Sequence, residues 1–180
     1  ELGMVNTVFK NTNGLPAEGH VMSARDIAIV SNELIKHKEI FNFTTIWTDS
    51  LRGGEFLLAN TNKLIRFYEG ANGLKTGSTS KAKFCISASA KRNGMQLICV
   101  VMAAPTRDSR NDIAKKLFDF GFSNYAYESF DSEPLSDLKV IGGSQDTLSL
   151  EYDGFKTVTD KSNAGKIARE IILPERISAP

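Results

Sequence analysis

The hydropathy pattern of the chain changes period near its middle. In SARDIAIVSNELIKHKEI, residues 23–40, Ile27, Val30, Leu34 and Ile35 recur at helical spacing. That pattern predicts a helix with one apolar stripe. Ser23 is its expected N-cap, and Asp26 places an acidic group in the first turn. Further on the repeat becomes two residues. ANGLKTGST (71–79) reads as a strand, and KFCISASAKR (83–92) alternates, with Phe84, Ile86, Ala88 and Ala90 on one side. Asn93-Gly94 is a hairpin signal, and MQLICVVMAA (95–104) returns as a nearly continuous apolar strand. Three antiparallel strands are therefore expected, with 95–104 in the middle of a sheet covered on both faces.

Pro105 ends the third strand. DSRNDIAKKLFDFGF (108–122) predicts a second helix, with Asp108 or Ser109 as N-cap, Gly121 as its stop, and an apolar face from Ile113, Leu117, Phe118 and Phe120. The remaining segments are less regular. Residues 1–20 lack periodicity, and NTNGLP (11–16) is turn chemistry. LRGGEFLLANTNKLIRFYEGANG (51–73) suits a short extended pair or a loop. From about Tyr125 the texture shifts: ESFDSEP reads as a linker, and 136–160 as short strands divided by Gly-Gly and Asp-Gly. GKIAREIILPE (165–175) is open between strand and short helix. These elements make a mixed α/β (α+β) chain divided near residue 125. The part after 125 is too short for an independent β-domain of about 80–100 residues.

Composition adds mainly exclusions. The 180 residues are 41% hydrophobic and 24% charged, ordinary for a globular protein. A net charge of +1, with no basic run interleaved by aromatics, gives no reason to expect nucleic acid. The longest apolar run, LICVVMAA (97–104), is far short of the roughly 18 residues of a membrane span. The start on Glu1 looks like processing or a cut boundary, so the lack of a visible signal peptide does not exclude secretion. Cys85 and Cys99 lack metal-site spacing and read as buried free thiols, while His20 and His37 stand alone. No metal or organic cofactor is expected.

The chemistry concentrates in ANGLKTGSTSKAKF, 71–84. A strand that carries Lys75, Thr76 and exposed N–H groups can hold an extended peptide by strand addition. The Thr76 hydroxyl can bind a carboxylate. The Lys75 ammonium supplies positive potential and can help steer proton transfer. Gly77 leaves room for a substrate backbone, and the Ser78 N–H is placed to donate to an oxyanion. Two further strings imitate catalytic motifs. Ser78-Thr-Ser-Lys81 spells Ser-x-x-Lys, but residues three apart in an extended segment point to opposite faces, so the lysine cannot take the serine proton. Ser109-Arg-Asn111 spells Ser-x-Asn at a helix start and reads as capping.

Beyond Lys-Thr-Gly, the stretches ELGMVNTVFKNTNGLP, LANTNKL and the hairpin with its following helix (RNDIAKKLFDFGF) form a longer pattern. It resembles the serine-type D-Ala-D-Ala carboxypeptidases, the low-molecular-mass penicillin-binding proteins. The resemblance runs over about 1–125, and 126–180 is similar to the start of that family's small β-rich C-terminal domain. It implies a β-lactamase/transpeptidase-like antiparallel sheet flanked by helices, incomplete at its N-terminal side, and a hydrolase that trims peptidoglycan stem peptides outside the cytoplasm. D-Ala-D-Ala termini and β-lactams would be its ligands. The nucleophilic serine and base lysine of such enzymes lie in a Ser-x-x-Lys helix. That helix and the Ser-x-Asn element are expected before residue 1, with any membrane anchor also outside the chain. Lys75 is then the catalytic-site lysine present here, with Thr76, Gly77, Ser78 and Thr79 on the substrate strand. Arg110 has the spacing of an arginine near the substrate's carboxylate, the other reading being a solvated helix-start arginine. Alternatives to a carboxypeptidase are a β-lactamase-type hydrolase of the same fold or a non-catalytic wall-binding fragment. By itself the chain is expected to leave an apolar sheet edge or face uncovered.

Overall fold

Ser23 caps helix α1 (Ala24–Leu34), its side chain accepting from the Asp26 N–H. The computed structural model describes residues 2–178. The helix is shorter than its apolar pattern suggested. The chain turns extended at His37 (ψ 93°), then makes one 3-10 turn, Lys38–Ile40, and a short helix α2, Phe41–Thr44. The stripe is only partly buried: Ile35 is buried and Ile27 and Val30 are half-buried, but Leu34 is 40% exposed, and the polar Asp26 and Ser31 are buried beside them. Asp26 Oδ2 accepts from the Asn6 N–H and the Thr7 hydroxyl, both 2.7 Å away, tying the N-terminal segment to α1.

Strands β1 (Thr48–Leu51) and β2 (Phe56–Ala59) form an antiparallel pair, followed by a short helix α3 (Leu64–Phe67) that the pattern did not announce. The three expected strands have the expected limits: β3 Ala71–Thr79, β4 Lys83–Arg92 and β5 Met95–Ala104, all antiparallel. Their order is β3-β4-β5, so β4 is central and β5 lies at an end among the described residues. A continuous apolar run reports what covers the two faces of a strand. It carries no information about what pairs at its edges.

Neighbouring residues of β4 point to opposite faces, and each face has its own helix. Ile86, Ala88 and Ala90 pack with Ala114 and Phe118 of helix α4 (Arg107–Asn124) in the main apolar core, which also takes in Leu64, Cys99 and Val101. On the other face Ser87 bonds to Ser31 of α1, Oγ to Oγ 2.6 Å. Helix α4 begins earlier than expected, at Arg107, capped by Thr106 and not by Asp108 or Ser109. Thr106 accepts from the Ser109 N–H through Oγ1 (3.0 Å), and the Ser109 hydroxyl accepts from the Thr106 N–H (3.1 Å), a reciprocal cap. Gly121 does not stop the helix. It sits inside it because a Cβ there would stand 2.6 Å from Leu97 Cδ1.

The second unit begins at Asn124. Tyr125–Phe130 (β6), whose last three residues fall in the expected linker, is a strand pairing antiparallel with Phe155–Asp160, and Phe130 stacks on Phe155 at 4.6 Å. Short strands Glu133–Pro134 and Glu151–Tyr152 pair with each other, as do Leu138–Ile141 and Thr147–Leu148. Residues 165–175 are neither strand nor helix; Arg176–Ser178 forms the final strand, parallel to Leu138–Ile141.

Candidate active site

Among the described residues strand β3 lies at an edge of its sheet, and two side-chain anchors hold its first half. The Thr44 hydroxyl donates to the Asn72 carbonyl (2.6 Å) and Asn62 Nδ2 to the Gly73 carbonyl (2.9 Å). Asn62 is itself buried, its Oδ1 accepting from the Leu64 N–H at the start of α3. Asn60 holds the same loop from the other side. Its Oδ1 accepts from the Asn62 N–H and its Nδ2 donates to the Ile46 carbonyl. The letters NTN at 60–62 thus encode a clamp that fixes a loop against β3 and leaves Thr61 between the two asparagines.

The second half of β3 opens on a cleft of about 500 Å³. Lys75, Thr76, Gly77 and Ser78 form one wall, and Thr61, Trp47, Phe84, Arg107 and Arg110 contribute to the others. Lys63, Lys75, Arg107 and Arg110 bring four cations, and no carboxylate among the described residues lines the space. Such a cleft attracts anions. Lys63 is engaged with Asp108 at 3.2 Å. Lys75 Nζ donates to the Thr76 carbonyl, 2.6 Å away, and has no anionic partner among the described residues. A Cβ on Gly77 would meet nothing within 4 Å, so the strand is open there.

Arg110 is not the solvated arginine of one sequence reading, being only 3% exposed. Its Nη2 donates to the Thr61 carbonyl (3.2 Å) and to Asn111 Oδ1 (3.1 Å), its Nε to the same Asn111 oxygen, and its Nη1 to the Cys85 carbonyl at 3.5 Å. Of its five N–H groups one, on Nη1, has no acceptor among the described residues. Burial, then the nearby Arg107, lowers its pKa from the usual guanidinium value. The guanidinium is thus a fixed charge behind the Thr61–Thr76 wall.

Other candidates fall elsewhere. Thr79 does not line the cleft; its hydroxyl accepts from the Ala82 N–H (2.9 Å) in the turn between β3 and β4. Lys81 lies in that turn, away from any helix start. Ser109 is occupied in the α4 cap. Cys85 is half-buried and not fully buried, Cys99 is buried, and both are free thiols. Burial pushes the Cys99 pKa up to about 12. Sequence reasoning passed over Trp47, Thr61 and Arg107, and read Asn111 only as part of a helix cap. Only Thr61 had a legible signal, the paired asparagines around it.

Residues 1–106 match the family model described as D-alanyl-D-alanine carboxypeptidase, Peptidase_S11. The chain belongs to this family. It is 41% identical over 187 aligned positions to the D-alanyl-D-alanine carboxypeptidase DacF of Bacillus subtilis, covering all of this chain and 48% of that protein. It is 33% identical to DacA of Escherichia coli over 84% of this chain and 38% of that protein. Among solved structures, penicillin binding protein 5 from Haemophilus influenzae superimposes with a TM-score of 0.79 at 28% identity, over 99% of this chain and 54% of that one. Penicillin-binding protein D2 from Listeria monocytogenes, in its cefotaxime-bound form, matches with a TM-score of 0.62 at 34% identity, over 67% of this chain and 50% of that one. The chain therefore has the mixed α/β fold of the carboxypeptidase family and spans about half the length of these relatives.

Proposed function

We propose that this chain carries the substrate-binding wall of a serine-type D-Ala-D-Ala carboxypeptidase, an extracytoplasmic hydrolase that trims peptidoglycan stem peptides. The observation that carries the reading is Lys75–Ser78 on an open strand edge, facing a cationic cleft backed by the buried Arg110. A stem peptide would add along the free edge of β3. Thr76 and Arg110 would take its terminal carboxylate, Gly77 would admit its backbone, and the Ser78 N–H would donate to the oxyanion. Lys75 would supply positive potential and steer the proton. Thr79 would serve the reaction only by closing the turn that ends the strand. The nucleophilic serine and its base lysine would come from the part of the family's length that this chain does not span.

In this reaction the serine oxygen attacks the penultimate D-Ala carbonyl. The C–N bond breaks, D-alanine leaves with the transferred proton on its amine, and water then hydrolyses the ester. A β-lactam would acylate the same serine and remain attached through its opened ring. The test uses the full-length protein with two reagents: a peptide ending in D-Ala-D-Ala, and a penicillin followed by intact-mass and peptide mapping. Release of D-alanine and a lasting penicilloyl group on a serine outside residues 1–180 are expected. An adduct on Ser78 or Ser109 would overturn the assignment. Rapid penicillin turnover without D-alanine release would make the protein a β-lactamase, and neither activity would leave a wall-binding role.

A further inference from the structure

We propose that Thr61 is a positioning residue for carboxylate recognition, acting through Thr76. The inference rests on the carboxypeptidase reading and adds a residue to its site. Thr61 Oγ1 and Thr76 Oγ1 are 2.6 Å apart, a short hydroxyl–hydroxyl bond in which either oxygen can donate. Neither hydroxyl has another hydrogen-bond partner among the described residues. The Thr61 backbone is held on every side. Asn60 and Asn62 clamp the loop, and the Thr61 carbonyl accepts from Arg110 Nη2. The second hydroxyl is thus brought to Thr76 by the same network that fixes the buried guanidinium.

A carboxylate only accepts hydrogen bonds. When one enters beside Thr76, the Thr76 proton must turn toward it, and the Thr76 oxygen is left to accept. Thr61 is placed to fill that demand. The empty cleft allows either proton order; the anion selects Thr61 to Thr76 to carboxylate. Two bonds in one direction polarise each other, so the contact to the anion is stronger than a lone threonine would make. A valine at 61 keeps the shape and removes the donor. A serine keeps the donor.

The test is a double-mutant cycle in the full-length protein, using release of D-alanine from a peptide ending in D-Ala-D-Ala. Thr61→Val should lower kcat/KM about tenfold, the upper end for a hydrogen bond between neutral groups, here polarised by the anion, with the loss in KM and kcat within about threefold of wild type. Thr61→Ser should restore the wild-type value. On a Thr76→Val background, Thr61→Val should cause no further loss. Thr61 is exposed, so Tm should hold in all variants; Thr61→Ala serves if the valine lowers it. Wild-type kinetics for Thr61→Val, equal losses on both backgrounds, or failure of the serine to rescue would each overturn the proposal. If wild type releases no D-alanine but is acylated by penicillin, the carboxypeptidase reading falls, and the same cycle on acylation rate still decides the role of Thr61. If it does neither, both fall.

Discussion

Lys75 and Arg110 are cations of one cleft with different burdens. Lys75 is exposed and bonds only to its neighbour's carbonyl, so its removal should leave the fold alone. Arg110 bridges the Thr61 loop, β4 and the start of α4. Arg110→Ala should therefore destabilise the protein by about 2–4 kcal/mol, because acceptors are left unmet and the side-chain volume is lost. A urea titration reads this directly. Arg110→Lys should not rescue it, since an ammonium cannot reproduce the planar fork. Asp26 gives a pH dependence. Burial pushes its pKa up, but the bonds from Thr7, Asn6 and Ser23, aided by Arg25, outweigh burial and hold it below the ordinary value. A depressed folded pKa stabilises above the unfolded value of about 4. That stabilisation is lost as pH falls through the lower folded value. The urea midpoint of wild type should accordingly drop more steeply between pH 5 and pH 2 than that of Asp26→Asn (a range of about three units around carboxylate titration).

At the scale of elements, two glycines show why turn-forming residues were read unevenly. Gly70 precedes β3 with φ +78°, and a Cβ there would stand 2.4 Å from the Lys91 carbonyl oxygen. Backbone cannot step aside as a side chain can. Gly70→Ala should cost roughly 2–3 kcal/mol, combining left-handed strain with the clash, measured as a fall in Tm. Gly121 reads as a helix stop from the sequence, yet it lies within α4 where Leu97 presses on the helix. The same residue type thus answers a backbone need in one place and a packing need in the other. Local pattern distinguishes them poorly, because Leu97 lies on another element. The β-hairpin needed no such help: alternation and Asn93-Gly94 placed β4 and β5 to the residue.

For the whole molecule, the exposed apolar side chains carry the expectation. Val5 and Leu57 are each 79% exposed, Phe43 70% and Phe9 63%. In the three-stranded sheet, the outer edges of β3 and β5 have no strand partner among the described residues. Unpaired edges and large apolar patches invite association. Residues 1–180 expressed alone should bind the dye ANS and sediment as aggregates or oligomers. A monomer that excludes the dye and unfolds cooperatively would contradict this. The full-length protein should neither bind the dye nor aggregate.

The Lys-Thr-Gly strand, the hairpin and the helix after it were legible in the sequence, because period, turn chemistry and capping are local properties. So were the placing of Ser78 and Lys81 away from any helix start and the capping role of Ser109, since each follows from local pattern. Tertiary structure decided what depends on contacts between distant segments. It buried Arg110 against the carbonyls of Thr61 and Cys85, 49 and 25 residues away, and moved the lone tryptophan to the cleft wall. It also set the hydroxyl of Thr61 against that of Thr76, 15 residues further on. Hydropathy can say that a residue favours water or oil. Which partner meets its last hydrogen bond is fixed only when the chain has closed on itself.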